Sequence, residues 1–310
     1  MRMQAAAKLD AGGHIIDWNY DFWSNAHSAR PGHARGGARA SALLAASHLA
    51  TPFQRGELWD PPLAGGGGSD RNAIPLYELP RQRITKHLLT ASVLRTSTLR
   101  ALGAYGNIFA IESFMDELAA SAGIDPIAFR LMHMQEPRAR AVIELAAGKS
   151  GWEAGAPSDG TRGRGFAFGQ YKNGYGYIGL VCEVDVEREP RVTRAVCAVD
   201  VGQVINPDGV INQIEGGIIQ AISWTLKEAV TFDREHVTSL DWESYPLLGF
   251  AETPEIEVHL INRPDEPPLG AGEVATGPTA AAIANAVCHA LGARVRDLPL
   301  TRNRIIAALA

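Results

Sequence analysis

Three short stretches carry side chains whose types and spacing suit chemistry. The plainest is Leu269 to Val287, LGAGEVATGPTAAAIANAV, which sets one carboxylate, Glu273, on a glycine-rich turn directly ahead of an alanine-rich helix. Gly270 and Gly272 keep side chains away from whatever lies beside the turn, Pro278 suits a first helical turn, and Gly292 marks the stop. A carboxylate held there can serve as a general base; the plainer alternative is a solvated loop glutamate near a helix start. The second stretch is Leu99 to Glu117, LRALGAYGNIFAIESFMDE, a loop running into a helix. Its Arg100 contributes through its backbone, braces the loop or caps a neighbouring element, and Gly103, like Gly272, either admits a close backbone approach or simply makes a turn. The third, Asn206 to Gln220, NPDGVINQIEGGIIQ, opens a helix with an Asn-Pro turn and sets Gln213 beside the apolar stripe. An amide there can both donate and accept without carrying charge, or can be an ordinary surface residue of an amphipathic helix.

These stretches belong to a chain of 310 residues, 46% hydrophobic, enough for a substantial core in one or two domains. A net charge of -5 provides no basic stripe for a phosphate backbone, so no nucleic-acid partner is expected. No stretch is long and apolar enough to span a bilayer, and the N-terminus lacks the apolar run of a secretory signal. A cytoplasmic location is expected, with export alongside a partner left open. Cys182, Cys197 and Cys288 are too few and too widely spaced for an iron-sulfur cluster or a closed zinc site, and read as buried thiols in a reducing compartment. His27 and His33 show no ligand spacing, so no protein-held metal is expected.

The elements that must position these residues follow from periodicity. Met3 to Leu9 and His14 to Trp23 read as a β-hairpin with Ile16, Trp18, Tyr20 and Phe22 on the core face. Residues 40–49 suit a short helix, and Gly65 to Gly68 a flexible turn. Ile108, Ile111, Met115, Leu118 and Ala119 follow helical spacing up to Gly123, and Asp125 with Pro126 starts a second helix. Between Ala146 and Gly165 the composition turns to Gly, Ala, Ser and Pro, which marks a linker or surface loop. Gly176 to Glu187 and Arg191 to Val201 form a second hairpin, and Gly209 to Leu226 a helix. Strand-like sequence follows over Glu228 to Phe232, His236 to Leu240 and Glu255 to Ile261. Glu112 and Glu215 fall inside helices and suit structural hydrogen bonds or solvent contact. Strands and helices come in separate runs, an α+β pattern.

Taken in order, the three stretches resemble the molybdenum hydroxylases, the xanthine dehydrogenase and aldehyde oxidase family, in their large molybdopterin-binding subunit. LRALGAYGNIFAIESFMDE is similar to the family's Arg-Gly-Phe-Gly-Gly-type loop running into a helix with an internal Glu. NPDGVINQIEGGIIQ is similar to its Asn-Pro turn followed by Gln-x-Glu-Gly on a helix packed by the pterin, and Glu273 occupies the place of the catalytic base. The wording is closest to the branch of isoquinoline oxidoreductase and nicotinate dehydrogenase large subunits, including WSNAHSARPG and DRNAIPLY. This chain has Ala101, Leu102 and Ala104 where many relatives have Gly, Phe and Gly; Leu102 cannot stack on an aromatic substrate as Phe does.

The resemblance implies the C-terminal molybdopterin-binding region of that family, an α+β fold of mixed sheets with packed helices. Residues 1–148 would be part of a first molybdopterin-binding domain and residues 149–310 a second, carrying the glutamate loop. Large subunits of this branch are more than twice this length, and their N-terminal cofactor loops have no match here, which implies a split or truncated subunit. The implied reaction is oxidative hydroxylation of an N-heteroaromatic or aldehyde substrate with water as the oxygen source. Glu273 would take the proton from a molybdenum-bound hydroxyl, Gln213 would bond the pterin or its phosphate, and Arg100, Gly103 and Gly272 would border the cofactor. That cofactor is molybdenum-molybdopterin, plain or in the cytosine dinucleotide form, shared with a chain that supplies the N-terminal portion. Electrons would leave through a 2Fe-2S small subunit, with no iron-sulfur cluster on this chain. The rival reading is a noncatalytic fragment serving as an assembly or interaction module. A dinucleotide dehydrogenase lacks support, because no G-x-G-x-x-G follows a strand.

Overall fold

The computed structural model describes residues 1–27, 49–51, 59–92, 94, 96 and 98–310. Nearly all of the helix expected over residues 40–49, and His33, lie outside the described residues.

The N-terminal hairpin forms as its alternation requires. Strand β1 (Arg2–Leu9) pairs antiparallel with β2 (Ile15–Asn25), from Arg2 opposite Trp23 to Leu9 opposite Ile15. Trp18, Tyr20 and Phe22 are wholly buried. A register shift between Lys8 and Leu9 brings Ile15 rather than the expected Ile16 into the core. A third strand, β3 (Gln82–Leu89), pairs parallel to β2 at the sheet edge. Its sequence, QRITKHLL, has too few apolar residues to announce a strand.

Helix α1 (Ala104–Ala122) stops at Gly123, which takes a φ of 67°. Asp125 then caps α2 (Pro126–Met132) by accepting from the backbone N–H groups of Ile127 and Ala128. A third helix, α3 (Pro137–Ser150), occupies part of the stretch expected to be a linker. Only 151–161 is loop there, and β4 (Arg162–Gln170) follows. The glycines that suggested a linker serve packing instead. A Cβ on Gly163 would lie 2.0 Å from the carbonyl oxygen of Ala286, and one on Gly165 would lie 2.2 Å from that of Ala282. Strand β4 can therefore press directly onto the backbone of α5 (Thr276–Leu291), whose alanines allow the same approach from their side.

The second sheet runs β4, β5 (Tyr177–Asp185), β6 (Arg191–Asp200) and β7 (Glu255–Ile261), with β7 parallel to β6 and the other pairs antiparallel. Strand β5 shows why this sheet is a middle layer. Ile178, Leu180, Cys182 and Val184 join one core with α4 (Pro207–Leu226) and α5, whereas Tyr177 and Val181 join the other with α1 and α3. Packing crosses the sequence position expected to divide two domains, since α3 lies on β5 and β6 and α1 lies on α5. Cys182 and Cys197 are buried free thiols, which burial pushes well up from the ordinary cysteine range. The strands expected over 228–232 and 236–240 do not form: only an isolated bridge joins Phe232 to Val237, with no sheet beside it to complete the ladder. A short helix, α6 (Arg302–Leu309), closes the fold, which is α+β with mixed sheets.

Candidate functional site

Glu273 lies on the turn before α5, half-buried. Its two carboxylate oxygens are held by different parts of the chain. The backbone N–H of Ala101 donates to Oε1 at 2.7 Å, and the Tyr171 hydroxyl donates to Oε2 at 2.6 Å. One donor per oxygen fixes the plane of the carboxylate while leaving further lone-pair positions able to accept a proton. Burial, then the bond to Glu273, pushes the Tyr171 phenol up, so it remains a neutral donor.

Arg100 ties the three stretches together. Its Nε donates to the Gly272 carbonyl at 2.6 Å, and its Nη2 reaches the same oxygen. The guanidinium also meets the Gln213 carbonyl at 3.2 Å, the Gln213 Oε1 at 3.3 Å and the Gln220 Oε1 at 3.2 Å. Arg100 therefore braces the glutamate loop against α4, the bracing role among those its sequence position allowed. The loop it comes from is strained: Ala101 and Leu102 both have positive φ, 76° and 51°.

Gln213 is exposed on α4, whose first turn is capped by Asn206 accepting from the Gly209 N–H. Gln220 lies two turns further along the same face, with Gly216 between them, and a Cβ on Gly216 would meet nothing within 4 Å. Two amides flanking a bare strip, next to a guanidinium and the start of α5, suit a flat ring system rich in hydrogen-bonding groups. The residues present thus fit a pterin. Gly272 borders this strip, and a Cβ there would meet Gln213 Oε1 at an ordinary 3.5 Å. Gly103 makes a close approach within the chain itself. A Cβ there would lie 2.3 Å from the Ser69 carbonyl oxygen, so its bare backbone admits the chain's own 68–69 loop.

Three site residues escaped the sequence reading. Tyr171 is one; Arg71 and Lys172, which enclose it, are the others. Arg71 is buried, donates to the carbonyls of Gly66 (2.8 Å) and Gly67 (3.0 Å), and bonds the Tyr171 hydroxyl. The Lys172 Nζ sits over the rings of Tyr171 and Tyr175, at 5.5 and 5.0 Å from their centroids. The run YKNGYGY makes a tight reversal, with the Tyr171 N–H donating to the Gly176 carbonyl, but its chemistry depends on Glu273, about 100 residues away.

Other candidates settle elsewhere. Glu112 makes structural bonds to Tyr77, Arg130 and the Phe168 N–H, and Glu215 is half-buried on α4. The His27 ring lies 3.1 Å from the Ser24 hydroxyl, and its backbone N–H donates to Asp60. Among the described residues no three His, Cys, Asp or Glu side chains are placed to hold a metal ion, and no helix is long and apolar enough to cross a membrane. A small cleft lined by Asn72, Tyr77, Ile108, Phe168 and Asn173 lies on the Glu112 side of the fold and does not include Glu273.

Comparison with known proteins places the chain among molybdopterin-binding proteins. Two models of a molybdopterin cofactor-binding domain match, one over residues 66–134 and the other over residues 112–254. A nicotinate dehydrogenase subunit from Pseudomonas putida is 43% identical over 256 residues, covering 77% of this chain and 22% of that protein. The beta subunit of isoquinoline 1-oxidoreductase from Brevundimonas diminuta is 35% identical over 229 residues, covering 72% of this chain and 29% of that protein. The chain thus spans less than a third of the length of these relatives. Among solved structures, quinoline 2-oxidoreductase from Pseudomonas putida 86 superposes with a TM-score of 0.74 at 14% identity, covering 99% of this chain and 62% of that one. The aldehyde oxidoreductase from Desulfovibrio gigas gives a TM-score of 0.70 at 15% identity, covering 99% and 49%. At such identities the likeness is one of fold.

Proposed function

The chain belongs to the molybdenum hydroxylase family, as part of its molybdopterin-binding large subunit, and from that premise we propose that it supplies the proton acceptor for oxidative hydroxylation of an N-heteroaromatic or aldehyde substrate. The carrying observation is convergence: the stretches around residues 101 and 171 meet at the Glu273 carboxylate, and Arg100 ties the loop that bears it to Gln213. Molybdenum-molybdopterin, plain or as the cytosine dinucleotide, would be held beside Gln213 and Gly272 and would supply the redox chemistry, with water as the oxygen source.

This chain's own residues supply orientation and proton transfer. Glu273 accepts a proton at a carboxylate oxygen while Ala101 and Tyr171 hold the group in plane. Arg100 fixes the Gly272 carbonyl and with it the position of Glu273. The Gln213 amide bonds the pterin or its phosphate, and Gly272 leaves its side of the strip bare. Gly103 acts at one remove, by letting the 68–69 loop close behind Arg100. Residues 149–310 form the domain that bears the glutamate loop. A polypeptide region equivalent to the N-terminal part of the longer relatives completes the cofactor cradle, and a 2Fe-2S small subunit carries electrons away. The assembly works in the cytoplasm or is exported with a partner.

Metal and pterin analysis of the complex purified with its neighbouring subunits tests the reading, together with heterocycle and aldehyde turnover by wild type and Glu273→Gln. A stable complex containing neither molybdenum nor pterin would favour the noncatalytic module. Turnover of the variant at the wild-type rate removes Glu273 as the base.

A further inference from the structure

Arg71, in the DRNAIPLY stretch, is a buried arginine without a carboxylate. It is 6% exposed and forms no ion pair among the described residues. The acids nearest it in the chain are taken: Asp60 and Asp70 turn to the Lys86 ammonium, at 2.9 and 3.0 Å. The Arg71 donors go instead to neutral oxygens, the Gly66 and Gly67 carbonyls and the Tyr171 hydroxyl. A bend with φ of 92° at Gly66 and 65° at Gly67 presents those carbonyls, and the Asn107 Nδ2 holds the Arg71 carbonyl at 2.8 Å. A charge taken out of water in this way is costly unless well-placed partners offset it. The carboxylate that Arg71 reaches is Glu273, with the phenol of Tyr171 in between. These three groups can be bonded in one sense. A guanidinium has donors and no acceptor; an ionised carboxylate has acceptors alone. The hydroxyl between them therefore accepts from Arg71 and gives its single proton to the Glu273 Oε2. Burial, then the bond to Glu273, holds the phenol protonated, with Arg71 pulling the other way.

We propose that Arg71 is a positioning residue for proton transfer at Glu273: acting through Tyr171, it keeps the phenol a donor and closes that side of the carboxylate to protons. The inference rests on the reading of Glu273 as the proton acceptor. A tyrosine bonded to a carboxylate alone is free to rotate its hydroxyl, or to pass a proton on to an acceptor behind it. With Arg71 behind it neither occurs. Rotating the O–H would aim a proton at a donor, and a guanidinium, always charged, has no lone pair to receive one. The proton that Glu273 takes is then held on a lone pair that neither Tyr171 nor the Ala101 N–H occupies, and it leaves from there.

Two measurements on the intact complex test the assignment. Infrared spectra with ring-labelled tyrosine, wild type minus Tyr171→Phe, isolate the Tyr171 C–O stretch, whose frequency depends on whether the hydroxyl donates, accepts or does both. Arg71→Met should shift that band, and Arg71→Lys should shift it less. Turnover per bound molybdenum, with isoquinoline, pyridine-3-carboxylate and benzaldehyde as probes, supplies a double-mutant cycle. Arg71→Met should lower kcat about tenfold with KM nearly unchanged, and Arg71→Lys should recover part of the loss. Added to Tyr171→Phe, the same change should cost no more than about twofold further, because its route to Glu273 is already cut. An arginine that merely braced the bend at Gly66 and Gly67 would give losses that multiply. Should the methionine variant not assemble, Arg71→Gln enters the same cycle. An unshifted band, a wild-type kcat or multiplying losses overturns the proposal. Failure of the underlying reading looks different: Glu273→Gln turns over at the wild-type rate while the Tyr171 band still follows Arg71.

Discussion

Glu112 and Glu273 are bonded almost alike, yet the proposed function gives them opposite tasks. Each accepts from a tyrosine hydroxyl and from a backbone N–H: Tyr77 and Phe168 for Glu112, Tyr171 and Ala101 for Glu273. The difference lies in the arginine beside each. Arg130, wholly buried, places its Nε 2.8 Å from the Glu112 Oε2 and its Nη1 on Asp116. Burial opposes its charge, but Glu112 and Asp116 outweigh that and hold it above the ordinary arginine range. Arg100, by contrast, spends its donors on the Gly272 carbonyl and two glutamines, and no ion pair to Glu273 forms among the described residues. A carboxylate neutralised in a dry ion pair is a structural charge; one held by neutral donors at the edge of solvent is free to take a proton.

The largest expected effect breaks that comparison from the catalytic side. Glu273→Gln keeps size and polarity but removes the proton acceptor, so turnover in the loaded complex should fall by about 10²- to 10⁴-fold with little change in melting temperature. Glu112→Gln should leave the chemical step alone, because Glu112 is buried and bonded to Tyr77, Arg130 and the Phe168 N–H, apart from the Glu273 loop. If both variants lost turnover equally without losing stability, the distinction between the two carboxylates would fail.

Next in size is the structural side. Arg130→Met strands Glu112 and Asp116 in the interior, a loss of about 3–5 kcal/mol, to be read by chemical denaturation. A variant as stable as wild type would show that the pair contributes specificity rather than stability. Tyr171→Phe is milder. It removes the donor on Oε2 but keeps the ring under Lys172, so kcat should fall about tenfold to hundredfold with KM nearly unchanged. A rise in KM alone would assign Tyr171 to substrate binding.

How far the sequence foretold this depends on range. The caps at Asn206 and Asp125, the stop at Gly123 and the stripe of α1 are local signals, and each formed where the pattern placed it. Glu273, Arg100 and Gln213 were each legible from a motif, and the structure brings all three together. What stayed hidden was long-range. Gly163 and Gly165 looked like linker residues because their purpose, contact with α5, lies about 120 residues away. Strand β3 exists because β2 offers an edge, and the β-rich 228–240 stretch finds none. Tyr171 and Lys172 carry no motif of their own.

The smallest effect concerns the strain at Ala101. A left-handed alanine costs roughly 1–2 kcal/mol, and this one is fully buried at the N–H that holds Glu273. Ala101→Gly removes the clash but gives the unfolded chain more freedom, about 0.4–1 kcal/mol in the other direction. The net should be a stabilisation of about 1 kcal/mol or less, with turnover within about twofold, because the N–H stays in place. The corresponding change at Ala139, wholly buried inside α3, carries no such relief and should destabilise. Equal losses at both positions would mean that the loop is not strained in solution, and that Ala101 reaches its conformation only when Glu273 accepts its bond.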